Sequence, residues 1–254
     1  MCGIAGFFGQ RVLPESAIEA ITGALRKRGP DARHLQGWDA DWRESGSPCN
    51  ALIHTRLSIR DLRGIADQPM SSSSRDVWIC YNGEVYDWEQ WSAELDSRGY
   101  SFRTSSDTEF ILHAYQAWGL EKMLSRLRGM FALAILDLRK QKLYLVRDRL
   151  GLKPLLYHHH GGGFAFASLL RALLPALPAG RRRLCRSAID AYLAHRYIPA
   201  PLSIIEGVQR LENGNYLEYD LQSGALQKIA YWRPQPGSTN AGETLRQAVN
   251  MRTV

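Results

Sequence analysis

The order of strand-like and helical segments predicts an α+β fold built on antiparallel sheets. Strands open the chain, helices follow and paired strands come next, so strand and helix do not alternate as in a parallel doubly wound fold. Hydrophobic residues make up 45% of the 254 residues, an ordinary share for a globular protein with a sizeable core. This length fits one large domain and the start of another, which we place at residues 1–220 and 221–254.

The first segments predict a strand, a helix and a second strand. Residues 4–8 form an apolar run typical of a buried strand. Residues 15–28 follow Pro14 and place apolar side chains at about 3.6-residue spacing, which predicts a helix that ends at Gly29-Pro30. Residues 51–59 predict an apolar strand that runs into a loop.

The middle of the chain predicts one strand and two helices. Residues 76–81 are an apolar strand, and the Asn82-Gly83 dipeptide after them is a frequent turn signal, so we expect the strand to stop there. Residues 88–98 and 108–118 carry helical patterns, and a glycine follows each of them.

The second half predicts two hairpins and two further helices. Apolar, β-branched and aromatic residues alternate with turn residues in the paired segments. The predicted elements are a hairpin of 129–137 with 142–148, a hairpin of 155–158 with 163–167 turned at Gly161-Gly162, a helix over 186–194, and an unfinished helix over 243–252.

Charge and composition argue against several classes of partner. The net charge is +7, but the arginines are dispersed and their one tight run is 181–183, so we expect no nucleic-acid partner. No apolar run is long enough to cross a membrane, and no basic segment precedes residues 4–8, so we expect neither a membrane span nor a secretory signal.

The four cysteines are scattered, which is typical of reduced thiols and predicts a cytoplasmic protein. None of them has metal-ligand spacing. The adjacent His158, His159 and His160 would point to alternating faces of a strand. We therefore expect no metal site in the chain.

Cys2 is a candidate nucleophile. Removal of Met1 would leave one residue with both a thiol and a free α-amine. The reference pKa of such an amine is about 7.7–8.0, so part of it is unprotonated near neutral pH and can accept the thiol proton directly or through water. A nucleophile and its base then come from a single residue, and no catalytic histidine is required.

Three further positions supply what an attack on a carboxamide needs. Asn82-Gly83 offers a side-chain amide and a backbone N–H for a developing oxyanion, although the pair can also be a plain hairpin turn. Arg56 can grip a carboxylate in bidentate fashion or be an ordinary surface residue. Asp107 can pair with a substrate ammonium or simply act as a helix N-cap.

These residues lie in segments that resemble the class II, N-terminal-nucleophile glutamine amidotransferases. The nearest resemblance is to the glutaminase half of glutamine-hydrolysing asparagine synthetases, over nearly all of residues 1–233. The matching segments, in family order, are Met1-Cys2-Gly3-Ile4, Arg28-Gly29-Pro30-Asp31, Arg56-Leu57-Ser58-Ile59, Gln68-Pro69-Met70, Tyr81-Asn82-Gly83-Glu84-Val85-Tyr86, Ser106-Asp107-Thr108-Glu109, Arg128-Gly129-Met130-Phe131-Ala132 and Arg147-Asp148-Arg149-Leu150-Gly151-Leu152-Lys153-Pro154-Leu155.

The resemblance implies a fold, an activity and a set of site residues. The fold is a four-layer αββα sandwich of two antiparallel sheets between helices. The activity is hydrolysis of L-glutamine to glutamate and ammonia through a thioester on Cys2, with Asn82 and Gly83 as the oxyanion hole. The implied substrate-binding residues are Arg56, Leu57, Ser58, Ile59, Arg60, Glu84 and Asp107.

The resemblance also implies what this chain lacks. Residues 245–249 resemble the first helix of a synthetase domain, so we expect residues 221–254 to be a linker and the truncated start of that domain. No cofactor is expected here, since ATP and Mg²⁺ would belong to the missing synthetase domain. Expected partners are L-glutamine, a synthetase domain or chain in trans, and a second copy in a homodimer. The expected truncation, together with a departure from the family pattern at residues 168–171, leaves a non-catalytic, partner-binding remnant as the alternative.

Overall fold

Two antiparallel six-stranded sheets form the centre of the fold in a computed structural model. The structure describes residues 1–161, 163–178, 180, 182–236 and 240–252, so Gly162 of the predicted turn and Arg181 of the basic run lie outside it. The strands are β1 Gly3–Phe8, β2 Ala32–Trp38, β3 Asn50–Arg56, β4 Met70–Ser71, β5 Val77–Tyr86, β6 Arg128–Asp137, β7 Lys142–Arg147, β8 Leu156–His160, β9 Gly163–Ala167, β10 Val208–Arg210, β11 Asn215–Asp220 and β12 Leu226–Ala230. The helices are α1 Glu15–Leu25, α2 Glu89–Ser97, α3 Asp107–Trp118, α4 Leu120–Arg126, α5 Leu170–Leu173, α6 Arg186–His195 and α7 Ala241–Asn250.

Each sheet takes its strands from two separate parts of the chain. The first sheet has the order β10-β8-β9-β1-β3-β2, and the second has the order β12-β11-β7-β6-β5-β4. Both predicted hairpins are present, as the antiparallel pairs β6–β7 and β8–β9. The strand that follows Cys2 is therefore central in the first sheet, between β9 and β3.

Three apolar clusters define four layers. One cluster lies between the sheets and includes Ile4 of β1 and Leu145 of β7. A second cluster packs α1 and α5 on the outer face of the first sheet. A third packs α2, α3 and α4 on the outer face of the second sheet. The predicted αββα order is confirmed, because burial of both faces of each sheet requires a helical layer on the outside.

The predicted stop at Asn82-Gly83 is wrong, because β5 continues through this dipeptide to Tyr86. Asn82 pairs with Ala132 of β6, and Gly83 pairs with Phe131. A Cβ atom on Gly83 would lie 2.4 Å from the carbonyl oxygen of Met130. The glycine at this position permits close approach of two strands and does not form a turn.

Several boundaries also differ from the sequence prediction. Helix α1 ends at Leu25, three residues before the predicted end. The predicted boundary at residue 220 falls inside the β11–β12 hairpin, so the second sheet continues to Ala230. Strand β2 and helix α4 were not predicted, because β2 has mixed polarity and α4 is only seven residues long. No described helix is long and apolar enough to cross a membrane.

Candidate active site

A cleft of about 160 Å³ opens where the start of β1 meets the middle of β5. Every site residue predicted from the sequence lines this cleft except Ser58. The backbone N–H of Ser58 donates to Asp31 at 2.7 Å, which holds the residue outside the cleft wall. Lining residues for which the sequence predicted no role include Gln68, Tyr81 and Lys153.

The Cys2 thiol lies at the floor of the cleft beside the end of β3. The Leu57 N–H donates to Sγ at 3.4 Å, and the thiol faces the Leu57 carbonyl at 3.7 Å. The Nε of Arg28 donates to the Cys2 carbonyl oxygen at 2.9 Å. These contacts fix the start of β1, so that the thiol faces the cleft from a rigid strand.

Electrostatics at the N-terminus favour a thiol that needs a base and an amine that can serve as one. Burial raises the pKa of the Cys2 thiol, although the Leu57 N–H and the nearby N-terminus act in the opposite direction. Burial also lowers the pKa of the N-terminal ammonium of Met1, and the cations Arg28 and Lys153 lower it further. Both directions disfavour the charged forms of these groups, so more of the Met1 amine is unprotonated near neutral pH than at a fully solvated N-terminus.

The Asn82 side chain presents an unused hydrogen-bond donor to the cleft. Asn82 is 1% exposed, and its Nδ2 has no hydrogen-bond partner among the described residues. A buried donor without an acceptor costs roughly 1–3 kcal/mol, so such groups are rare unless something else bonds them. The cleft is the space from which an acceptor can approach Nδ2.

The backbone N–H of Gly83 supplies a second unused donor. In an antiparallel pair, backbone groups alternate between facing the partner strand and facing away. Phe131, opposite Gly83, bonds to Asp148 on its other side through both its N–H and its C=O, so the N–H of Gly83 faces away from β6. The N–H groups of Tyr81 and Val85 point to the same side, where they meet Gln68 and Asp107. Gly83 has no such acceptor in the described chain.

Asp107 closes the far side of the cleft. Its Oδ2 accepts from the Tyr81 hydroxyl at 2.7 Å and from the Val85 N–H at 3.0 Å, and Oδ1 has no hydrogen-bond partner among the described residues. Burial raises the pKa of Asp107 to about 6, against the lowering effect of these two donors. The alternative role of N-cap is wrong, since Ser106 caps α3 by accepting from the Thr108 N–H.

Arg56 is buried at the cleft wall, but its guanidinium is not a free fork. One terminal nitrogen donates to Asp67 at 2.6 Å and to the Arg63 carbonyl at 3.0 Å. The other donates to the carbonyls of Arg60 and Asp61. The structure thus differs from the predicted bidentate grip on a substrate carboxylate, because four acceptors of the 60–67 loop already occupy both terminal nitrogens.

Arg60 and Glu84 form an ion pair on the rim of the cleft. The Arg60 Nε lies 2.7 Å from a Glu84 oxygen, and a second nitrogen of Arg60 lies 3.3 Å from Glu89. Both members of the Arg60–Glu84 pair remain partly exposed, so each can exchange its partner for a charged ligand.

Two buried residues that support the cleft were not found from the sequence. His54 lies between the sheets, and its Nε2 is 3.2 Å from the Tyr81 carbonyl. Burial lowers the pKa of His54 to about 3, so it is neutral at physiological pH and holds β3 to β5. Gln68 accepts from the Tyr81 N–H at 2.5 Å and donates to Thr108 at 3.1 Å. Gln68 lies in a segment that carries the family resemblance, but no local sequence pattern indicates either contact.

The arrangement brings together the parts that acyl transfer requires. A thiol, a nearby amine and two unpaired N–H donors line one small cleft, and carboxylates and an arginine lie on its far side. A carbonyl oxygen can take both donors as negative charge develops on it. No histidine lines the cleft as far as the structure describes it.

Comparison with known proteins agrees with this chemistry. A model of the glutamine amidotransferase domain matches residues 1–232. The chain is 34% identical over 239 residues to asparagine synthetase (glutamine-hydrolyzing) 3 of Bacillus subtilis, which covers 91% of this chain and 36% of that protein. It is 32% identical over 220 residues to asparagine synthetase (glutamine-hydrolyzing) 1 of the same organism, which covers 85% of this chain and 33% of that protein. The chain thus spans about a third of the length of these curated relatives.

A solved structure shares the fold. Glutamine phosphoribosylpyrophosphate amidotransferase of Bacillus subtilis superimposes with a TM-score of 0.66 at 18% identity, over 92% of this chain and 50% of that one. This likeness shows that the four-layer sandwich is common to both proteins. Since the family model covers all but the last residues, the chain belongs to the glutamine amidotransferase domain family.

Proposed function

We propose that the chain hydrolyses L-glutamine to L-glutamate and ammonia, with Cys2 as nucleophile after removal of Met1. One observation carries this proposal: the Cys2 thiol shares a small cleft with Asn82 Nδ2 and the Gly83 N–H, two donors that have no acceptor among the described residues. Met1, the residue that processing would remove, is 55% exposed.

The proposed reaction proceeds through two acyl-transfer steps. The α-amine of Cys2 takes the thiol proton, and the thiolate attacks the side-chain amide carbon of glutamine. Asn82 and Gly83 donate to the resulting oxyanion. The carbon–nitrogen bond then breaks, and the amine returns the proton to the departing ammonia. Water attacks the γ-glutamyl thioester, glutamate leaves, and the thiol is restored.

The far side of the cleft suits the amino-acid end of the substrate. The free Oδ1 of Asp107 and the exposed part of Glu84 can accept from the glutamine ammonium. Arg60, which Glu84 already holds on the rim, and the main chain near Leu57 and Ile59 then face the carboxylate. Arg56 acts indirectly in this proposal, because it holds the 60–67 loop in place.

We propose further that the ammonia serves amide synthesis, such as conversion of aspartate to asparagine. The support is that two relatives are glutamine-hydrolysing asparagine synthetases, of which this chain spans about a third. A synthetase domain or a synthetase chain in trans would supply that step, and a second copy of this chain is another candidate partner. Leu245 and Val249 of α7 are more than half exposed, and a partner can cover them.

The test begins with the processing state. Intact mass identifies chain that has lost Met1, and this chain is assayed for glutamate release from glutamine. Hydroxylamine should trap the γ-glutamyl thioester as a hydroxamate. Cys2→Ala should give neither product. A folded, processed chain that releases no glutamate at any pH would refute the proposal and favour the non-catalytic, partner-binding alternative.

A further inference from the structure

Lys153 is a buried cation in the active-site cleft with no ion-pair partner among the described residues. The residue is 6% exposed, and it lines the same cleft as Cys2. Its Nζ contacts the sulfur of Met1 at 3.3 Å. The ammonium therefore lies against the residue whose removal exposes the α-amine of Cys2. Loss of Met1 removes that contact and leaves the ammonium in the small cleft that Cys2 also lines.

A hydrogen-bonded loop after β7 places Lys153 in the cleft. The carboxylate of Asp148 is fully buried and accepts from the N–H groups of Leu150, Leu152 and Lys153. Gly151 adopts a φ of +68°, which a residue with a Cβ rarely adopts, and this lets the loop turn back toward the cleft. The hydrogen bonds from these backbone N–H groups to Asp148 thus fix the position of Lys153.

An unpaired buried ammonium is costly, so its retention at this position calls for an explanation. Burial and the neighbouring Arg28 lower the pKa of Lys153, while Asp148 and the Cys2 thiolate act in the opposite direction. Like charges nearby disfavour the protonated form of an amine. Lys153 and Arg28 both exert this effect on the α-amine of Met1, the residue that directly precedes Cys2.

The other charged groups that face this region come from several elements. The groups that act on the N-terminus or on the Cys2 thiol are Arg28 and Asp31 after α1, Arg56 of β3 and Asp107 of α3. The carboxylates that act on the Lys153 ammonium are Glu84 of β5 and Asp148. Arg28 is committed to the Cys2 carbonyl, and Arg56 is committed to its loop. Lys153 is therefore the cation that is free to respond to the state of the N-terminus.

We propose that Lys153 is a positioning residue for the proposed glutaminase reaction: its ammonium keeps the α-amine of processed Cys2 unprotonated, ready to accept the thiol proton. The catalytic consequence of this role rests on the proposed glutaminase function. The proton that leaves the thiol goes to the amine and then to ammonia. Lys153 itself neither gains nor loses a proton. A neighbouring charge shifts a pKa by about one unit or more.

The experiment uses two variants of the full, processed chain. Lys153→Met keeps the length of the side chain and removes the charge, while Lys153→Arg keeps the charge. The acidic limb of the kcat/KM profile should move up by about one pH unit in Lys153→Met. Activity at a pH well below the limb should then fall about tenfold, and it should recover at a pH above the shifted limb. Lys153→Arg should keep the limb near its original position.

A second measurement does not depend on turnover. In a Cys2→Ser background, the rate at which an acylating reagent modifies the α-amine is followed against pH, with modification located by mass spectrometry. The Lys153→Met change should raise the midpoint of this curve by about one unit as well. This titration decides the inference even if the chain proves to have no glutaminase activity.

Two outcomes would overturn the proposal. An unchanged amine midpoint in Lys153→Met would show that the ammonium does not act on the N-terminus. A raised KM with an unshifted pH limb would show instead that Lys153 binds the substrate carboxylate. If Lys153→Met does not fold, Lys153→Gln removes the same charge and is subject to the same two outcomes.

Discussion

Replacement of Asn82 by alanine tests the oxyanion hole, because turnover should fall while the free energy of unfolding should hardly change. If Asn82 Nδ2 donates to the oxyanion, its loss should lower kcat by a factor of about 10²–10³, or roughly 2.7–4 kcal/mol of transition-state stabilisation. The Gly83 N–H remains, so residual turnover is expected. KM for glutamine should change little, since the donor acts mainly on charge that develops after binding.

The stability side of this prediction follows from the unpaired donor. Nδ2 has no partner in the described chain, so Asn82→Ala breaks no hydrogen bond there. Relief of a buried unsatisfied group, worth roughly 1–3 kcal/mol, offsets the loss of packing around a side chain that is 1% exposed. The free energy of unfolding should therefore stay within about 1 kcal/mol of the original value.

The assay combines steady-state glutaminase kinetics with urea denaturation of the same preparation. Asn82→Asp is the matched control, because it keeps the shape of the side chain but replaces the donor by a negatively charged acceptor. It should lose at least as much turnover as Asn82→Ala. A change in KM alone, or a loss of several kcal/mol in stability with unchanged kcat, would refute the oxyanion role.

Four further predictions follow from the same site. Cys2→Ala should abolish glutamate release, and a glutamate assay measures this. Cys2→Ser should leave at most a trace of release, because a hydroxyl is a far weaker nucleophile than a thiol near neutral pH. Arg56→Lys should raise KM and speed limited proteolysis of the 60–67 loop, because one ammonium cannot serve four acceptors held by a planar guanidinium. KM should rise as pH falls through about 6, where the Asp107 carboxyl gains a proton, and Asp107→Asn should flatten this dependence and keep KM high in a pH series. Residues 1–254 alone should neither bind ATP nor form asparagine, since their sequence has no phosphate-cradling loop, and calorimetric titration with ATP checks this.

Each of these predictions has a contrary result. Full turnover in Cys2→Ala would remove the nucleophile assignment. An unchanged proteolysis rate in Arg56→Lys would show that the loop does not depend on the guanidinium. A pH-dependent KM that persists in Asp107→Asn would assign the titration to another group. ATP binding at micromolar affinity would show that a nucleotide site exists within residues 1–254.

The order of strands and helices predicted the α+β class with antiparallel sheets, and the family resemblance implied the four layers, but the path of a single strand was predicted less well. Long apolar runs such as those of β6 and β7 are buried strands under either description. Asn82-Gly83 has two meanings, and local preference favours a turn. The structure uses the dipeptide inside β5, because the carbonyl of Met130 leaves no space for a Cβ at position 83. That contact joins residues 47 positions apart, so no local pattern reports it.

The candidate site shows the same division. The place of Cys2 in the site was predicted from the chemistry of a thiol next to an α-amine together with the segments that resemble the family, and its thiol lines the cleft. The contacts of Arg56 were not predicted, because a guanidinium that grips a carboxylate and one that braces a loop have the same sequence signature. The positions of the Asp67 carboxylate and of the loop carbonyls show that Arg56 contacts the loop in this structure. The buried ammonium of Lys153 was likewise not predicted, because a sequence does not show that a side chain has no ion-pair partner among the described residues.

Tyr81 explains how the fold keeps two donors unpaired next to each other. Its N–H donates to Gln68, its carbonyl contacts His54, and its hydroxyl donates to Asp107. These three partners come from three different elements, so the backbone that precedes Asn82 and Gly83 is held from three sides. A donor in such a frame cannot turn to find an acceptor of its own. The cost of leaving the donor unpaired is present in the resting state, and in the proposed reaction the oxyanion of the transition state is the acceptor that relieves this cost.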